Sequence, residues 1–250
     1  MLNRWKGPFL LGHTAPDVKT VSGQKREASH FYTIPRTSDC PAYLVLFDSY
    51  PDLARADALS PSRAAFIAGY IAHLLLDELW LDGVFQRYFL QDWGPLEERL
   101  FLHNVLRTWV DLRDQARLNE TTAQALQQAR PDDWLPFVPD LYLRRWRDWL
   151  VAQLTAAHRM ETAKVLADRM GVSATAVETV VQSSEQMERR VFQYFPRSAM
   201  QSFWERGYRQ SVMLVEWYLS RSANGQTKRL PINTGDYEPT DHPTVQEVRS

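Results

Sequence analysis

Hydrophobic residues in this chain recur mostly with the 3.6-residue period of helices, and strand-like alternation is rare. The clearest segment starts at Ser60-Pro61 and reads AAFIAGYIAHLLLDELW from Ala64. Ser60 is a helix cap and Pro61 suits the first turn, so a helix is predicted from Ser60 to about Phe89. It is apolar on most sides and belongs at the centre of a fold. Further helices are predicted over Leu96–Leu118, a short stretch capped by Asn119 to Thr122 and ending near Arg130, Asp140–His158, Met160–Met170, Ala174–Tyr194 and Pro196–Ser220. Pro131–Pro139 reads as a loop. Residues 1–59 carry Pro8, Pro16, Pro35, Pro41 and Pro51 and read as irregular, with short helical turns. Tyr43–Phe47 (YLVLF) fits a strand or a helix. From Ala223 the chain is rich in Asn, Gly, Thr and Pro, the composition of a disordered tail. The expected architecture is all-α: one multi-helix domain over 1–222, an irregular N-terminal region and a tail over 223–250.

Against that hydrocarbon background, His73 and Asp77 stand out. Four residues apart, they share one face of the central helix. An unpaired buried carboxylate is costly, so a partner or a metal must face that turn. Upstream, LLGHTAPD supplies Asp17 and REASHFY supplies His30. Asp17, His30, His73 and Asp77 together form a mixed nitrogen and oxygen set that suits zinc, and also manganese, iron or nickel. The plainer alternative is a hydrogen bond between His73 and Asp77, or pairing with Arg63, Arg26 or a Trp N–H.

Composition narrows the function classes. Basic and acidic residues number 29 and 30, which leaves no basic field for nucleic acid. A single cysteine, Cys40, excludes an internal disulfide and fits a reducing compartment. The N-terminus lacks a signal-peptide h-region, and the uncharged run Ala64–Leu76 is too short to span a bilayer. The expectation is a soluble, cytoplasmic protein; its oligomeric state is left open.

LLGHTAPDV, REASHFY and AAFIAGYIAHLLLDELW, in that order, resemble the zinc-dependent phospholipase C family, and more closely its uncharacterised bacterial branch. The likeness covers about residues 7–90. It implies one zinc held by Asp17, His30, His73 and Asp77, and hydrolysis of a phosphate ester or diester, with a phospholipid-like small substrate. The phospholipases build three zinc sites, using a processed N-terminal Trp, an early His and a later H-x-x-x-E pair. No His precedes His13 here, and no H-x-x-x-E follows Asp77. A start at an internal Met and loss of an upstream helix are two readings of that gap. The alternative class is a non-catalytic, metal-stabilised helical protein with an interaction or structural role.

Secondary candidates remain. Pro16 argues against a regular helix joining His13 to Asp17, which leaves His13 as an extra ligand or a proton donor. His103, Arg107 and Asp114 share a helix face with Asp111 at its edge, either assisting the site or simply solvated. Lys25 and Arg26 can steer an anion or merely lie in a wet loop. Thr162–Val181 imitates a helix-turn-helix, but its second helix offers Thr175, Glu178, Thr179 and Gln182 and no cation for phosphates. The Trp and Tyr residues of the later helices fit core packing better than lipid contact.

Overall fold

The centre of the molecule is a helix that holds its partners at backbone contact. The computed structural model describes residues 2–115, 117–154 and 174–220. In chain order the helices are α1 (Lys6–Thr14), α2 (Lys19–Ser22), α3 (Glu27–His30), α4 (Ala42–Ser49), α5 (Pro61–Trp80), α6 (Leu96–Gln115), α7 (Glu120–Gln127), α8 (Asp140–Gln153), α9 (Ala174–Gln182), α10 (Ser184–Gln186) and α11 (Arg197–Ser220). A 3₁₀ turn, Ala15–Val18, joins α1 to α2. α5 and α10 run on into wider π-helical turns at Leu81–Phe89 and Met187–Phe192. Among the described residues no strand forms; one isolated bridge pairs Leu135 with Val138. The fold is all-α, as the periodicity predicts.

α5 begins as its sequence dictates. The Ser60 hydroxyl accepts from the Arg63 N–H at 3.3 Å, and Pro61 occupies the first turn. Every side chain from Ala64 to Ala72 is buried. With its π-helical extension this helix is long and apolar enough to cross a membrane, but its most apolar window is 72% buried inside the protein. That is how a core helix behaves, and it says nothing of where the protein resides.

The N-terminal region departs most from expectation. Residues 6–14 form a regular helix despite Gly7, Pro8 and Gly12. Those glycines are poor helix formers, but here they let backbones touch. A Cβ at Gly12 would stand 1.9 Å from the Phe66 carbonyl oxygen, and one at Gly69 would stand 2.1 Å from that of Phe9. α1 therefore crosses α5 closely enough for packing to outweigh propensity. Pro8 falls in the first turn, where its missing N–H is harmless. Tyr43–Phe47 lies within α4, so YLVLF is helical.

Two hydrophobic cores lie along the central helix. The first gathers α1, α4, the body of α5, α8 and the end of α11, with Leu11, Tyr43, Phe66, Ile71 and Tyr218 fully enclosed. The second gathers the π-helical turn after α5, α6, α9 and the start of α11, around Phe89, Val105, Val191 and Phe195. Trp134, Trp146 and Tyr218 are core residues, whereas Tyr208 is 75% exposed. The segment predicted to run from Ala174 to Tyr194 is broken at Ser183, which caps α10 by accepting from the Gln186 N–H. α8 closes at Gln153 with Leu154 as its cap, and the remainder of the stretch predicted to reach His158 lies outside the described residues. The helix expected over Met160–Met170, the turn of the helix-turn-helix imitation and the tail lie outside the described residues.

Candidate metal centre

The close α1–α5 crossing places the end of α1 beside His73. The His73 Nδ1–H donates to the His13 carbonyl at 2.8 Å, which fixes the tautomer and leaves the Nε2 lone pair free. His73 Nε2 is buried and has no hydrogen-bond partner among the described residues. An orphaned imidazole nitrogen is the donor a metal site needs and an ordinary core avoids.

Asp17 arrives from the 3₁₀ turn that Pro16 sets up after α1. His30 arrives from α3, held by its neighbour Ser29. The Ser29 hydroxyl donates to the Pro16 carbonyl at 2.7 Å, and the Ser29 carbonyl accepts from the Tyr70 hydroxyl at 2.5 Å. These two bonds tie α3 to the Asp17 turn and to α5. His30 is 1% exposed, and its Nε2 lies 3.8 Å from Asp17 Oδ1 and 3.7 Å from Asp77 Oδ2.

One ligand atom each from Asp17, His30 and His73 lies within 4.8 Å of the others. Two atoms bound to one zinc at about 2.0–2.2 Å stand no more than about 4.4 Å apart, so the set fits after a small contraction. The Asp17 side chain is 43% exposed and has room to provide it. Asp77 stands beside this group, engaged elsewhere. Its Oδ2 accepts from Arg26 Nη2 and from the Tyr32 hydroxyl. The four sequence candidates thus share one neighbourhood, with three converging and the fourth tied to a guanidinium. Arg63, another candidate partner, donates instead to the Trp134 carbonyl at 3.1 Å.

The charges respond accordingly. Burial lowers His30 to about 3 against the pull of Asp77, which keeps the ring neutral and able to ligate. Burial works to raise Asp17 and Asp77, but the bases beside them win. His73 and His30 hold Asp17 below the usual carboxylate range, and Arg26 followed by the two imidazoles does the same for Asp77. His13 is lowered to about 4 by burial and by His73. Its ring sits 6.0 Å from that of His73, centre to centre.

The centre opens on a cleft of about 420 Å³, within the size range of small-molecule sites. His13, Asp17 and His73 line one side, and Arg107, Asp111 and Asp114 of α6 contribute another. Trp146, Trp149 and Leu150 of α8 add an apolar wall. The Trp146 indole N–H donates to the Thr14 carbonyl at 2.9 Å, pinning α8 to the end of α1. Burial raises Asp111 to about 6, against Arg107.

One candidate departs from its sequence reading, and two further residues join the site without one. His103 leaves the face it shares with Arg107 and turns into the second core, accepting the Trp80 indole N–H at 2.9 Å. Burial, then Arg107, lowers it to about 3. Tyr32 was not a sequence candidate, although it lies two residues after His30 in the same motif. Glu78 carries no sequence expectation either. It is 5% exposed, accepts the Ala42 N–H at 3.1 Å at the start of α4, and pairs with Arg36 at 3.2 Å. Burial raises it to about 7. Its signal was present as a second carboxylate next to Asp77.

Comparison with protein-family models, with curated proteins and with solved structures finds no match for this chain. The likeness to the zinc-dependent phospholipases C therefore rests on the motif residues themselves.

Proposed function

We propose that the protein is a divalent-metal hydrolase of phosphate esters or diesters, with zinc held by Asp17, His30 and His73. The observation that carries this reading is the buried, unpartnered His73 Nε2, aimed where Asp17 and His30 converge. Three protein ligands with a further position open to a cleft is the pattern of catalytic zinc rather than structural zinc. A bound divalent ion polarises a phosphoryl oxygen and brings a water towards neutral pKa.

The protein's own groups have defined parts. The His13 carbonyl holds His73 in the ligating tautomer. Ser29 and Tyr70 fix His30. Arg107 has no carboxylate within salt-bridge reach among the described residues and lines the cleft, so it meets an incoming phosphate. The Trp146–Trp149 wall receives the apolar part of the ester. Phospholipid cleavage in particular is what the motif likeness adds.

Metal analysis of purified protein is the first test, with one zinc per chain expected. Zinc-loaded protein should then hydrolyse a nitrophenyl phosphodiester, phosphomonoester or short-chain phosphatidylcholine, and chelator should abolish the activity. The comparison that decides is wild type against His30→Ala at equal folded fraction. Activity that survives the change comes from elsewhere. One tightly held zinc without turnover identifies a structural metal.

A further inference from the structure

We infer that Arg26 is a positioning residue that holds the Asp77 carboxylate out of the metal's coordination shell and so keeps a coordination position open. The inference rests on the zinc site proposed above.

Asp77 Oδ2 is the oxygen that faces the imidazole of His30, at 3.7 Å. It is also the oxygen that Arg26 Nη2 and the Tyr32 hydroxyl both engage. A carboxylate well placed to be a fourth ligand is thus occupied, on the oxygen that faces His30, by two donors. The guanidinium lies over the Tyr32 ring, its carbon 4.5 Å from the ring centre. Arg26 Nη1 is buried and has no hydrogen-bond partner among the described residues, so the side chain is not held there by a full set of bonds. Its partners are one carboxylate oxygen, the Tyr32 hydroxyl at 2.7 Å and a ring face. A cation so placed competes with a metal for Asp77. While the arginine wins, the ligands number three. Without it, Asp77 completes a closed four-ligand set of the structural kind.

Cobalt(II) replaces zinc as the probe, because its visible absorption reports coordination number. With wild-type protein, inorganic phosphate should enter the open position and shift the spectrum. In Arg26→Met the bands should gain the intensity of a tetrahedral site, and phosphate should no longer shift them. The double variant Arg26→Met/Asp77→Asn should recover the phosphate response, because the carboxylate that closed the site is gone. Arg26→Gln makes the same charge change while keeping a hydrogen-bonding side chain, and it replaces the Met variant if circular dichroism shows the latter unfolded. A phosphate response in the single variant equal to wild type overturns the inference. So does a wild-type spectrum already tetrahedral and indifferent to phosphate. Absence of any metal binding by wild-type protein is a separate result and removes the zinc site itself.

Discussion

His73 and His103 lie in the two different cores, and each turns a ring nitrogen into the protein. His73 uses its Nδ1–H on the His13 carbonyl and leaves Nε2 with nothing. His103 uses Nε2 to accept the Trp80 indole N–H and is ringed by Phe85 at 4.6 Å and Phe89 at 5.2 Å between centroids. Both environments are desolvating. What separates a ligand from a core histidine is whether the remaining lone pair has a donor in front of it. His30 belongs with His73, since its Nε2 faces two carboxylates. Among the described residues, the first core carries an imidazole nitrogen that nothing meets, and the second carries one met by an indole N–H.

The largest expected effect breaks that contrast at the metal. His73→Ala or His30→Ala should weaken zinc binding by more than about 1,000-fold, roughly 4 kcal/mol. His103→Phe should leave it within about threefold. Competition against a chromophoric chelator measures both, and equal losses at His73 and His103 would end the distinction. Next comes the cost of truncation without metal. His103→Ala removes a packed ring and orphans the Trp80 N–H, so urea unfolding should show a loss of about 2–4 kcal/mol. His73→Ala in chelator should cost less than about 1 kcal/mol, because it also removes an unsatisfied nitrogen. Adding zinc at about 100 times its dissociation constant should stabilise wild type and His103→Phe by about 2.7 kcal/mol. That corresponds to a rise in Tm of roughly 5–10 °C. His73→Ala should show no rise.

These differences also explain what the sequence could tell. The central helix was legible because its apolar run, Ser60 cap and Pro61 all act locally. The neighbourhood of Asp17, His30, His73 and Asp77 was legible because charged and imidazole groups are conspicuous in apolar motifs. The helix at Lys6–Thr14 was hidden, because Gly7, Pro8 and Gly12 argue against it, and it takes the backbone contacts with Phe66 and Gly69 on α5 and with Ala125 on α7 to reverse that. The division of the site into three converging groups and one held carboxylate was hidden too. It depends on Arg26 folding back 51 positions to meet Asp77, which no spacing rule encodes. His103 was misplaced for a related reason. Its helix face looks continuous with Arg107, but Trp80 at the end of α5 and Phe85 and Phe89 of the π-helical turn after it close over the ring.

The smallest effect concerns protons and sharpens the contrast in metal-free protein. His103 is lowered to about 3 in the folded chain by burial and by Arg107, against about 6.5 when unfolded. A lowered histidine pKa means that the unfolded state binds the proton first. The stability tied to neutral His103 is therefore complete above about pH 6.5 and is lost as the pH falls from there towards 3. Between pH 7 and pH 5 the loss should be on the order of 1–2 kcal/mol. His103→Phe cannot take up that proton, so its unfolding free energy should fall less over the same interval. The decline that remains belongs to groups common to both proteins, His13 and His30 among them, both of which burial also lowers. Urea unfolding of the two proteins in chelator at pH 7 and pH 5 isolates the His103 share as a difference of differences. Identical pH slopes would mean that protonated His103 keeps its place beside Trp80, and that the second core is less closed than the Trp80–His103 bond implies.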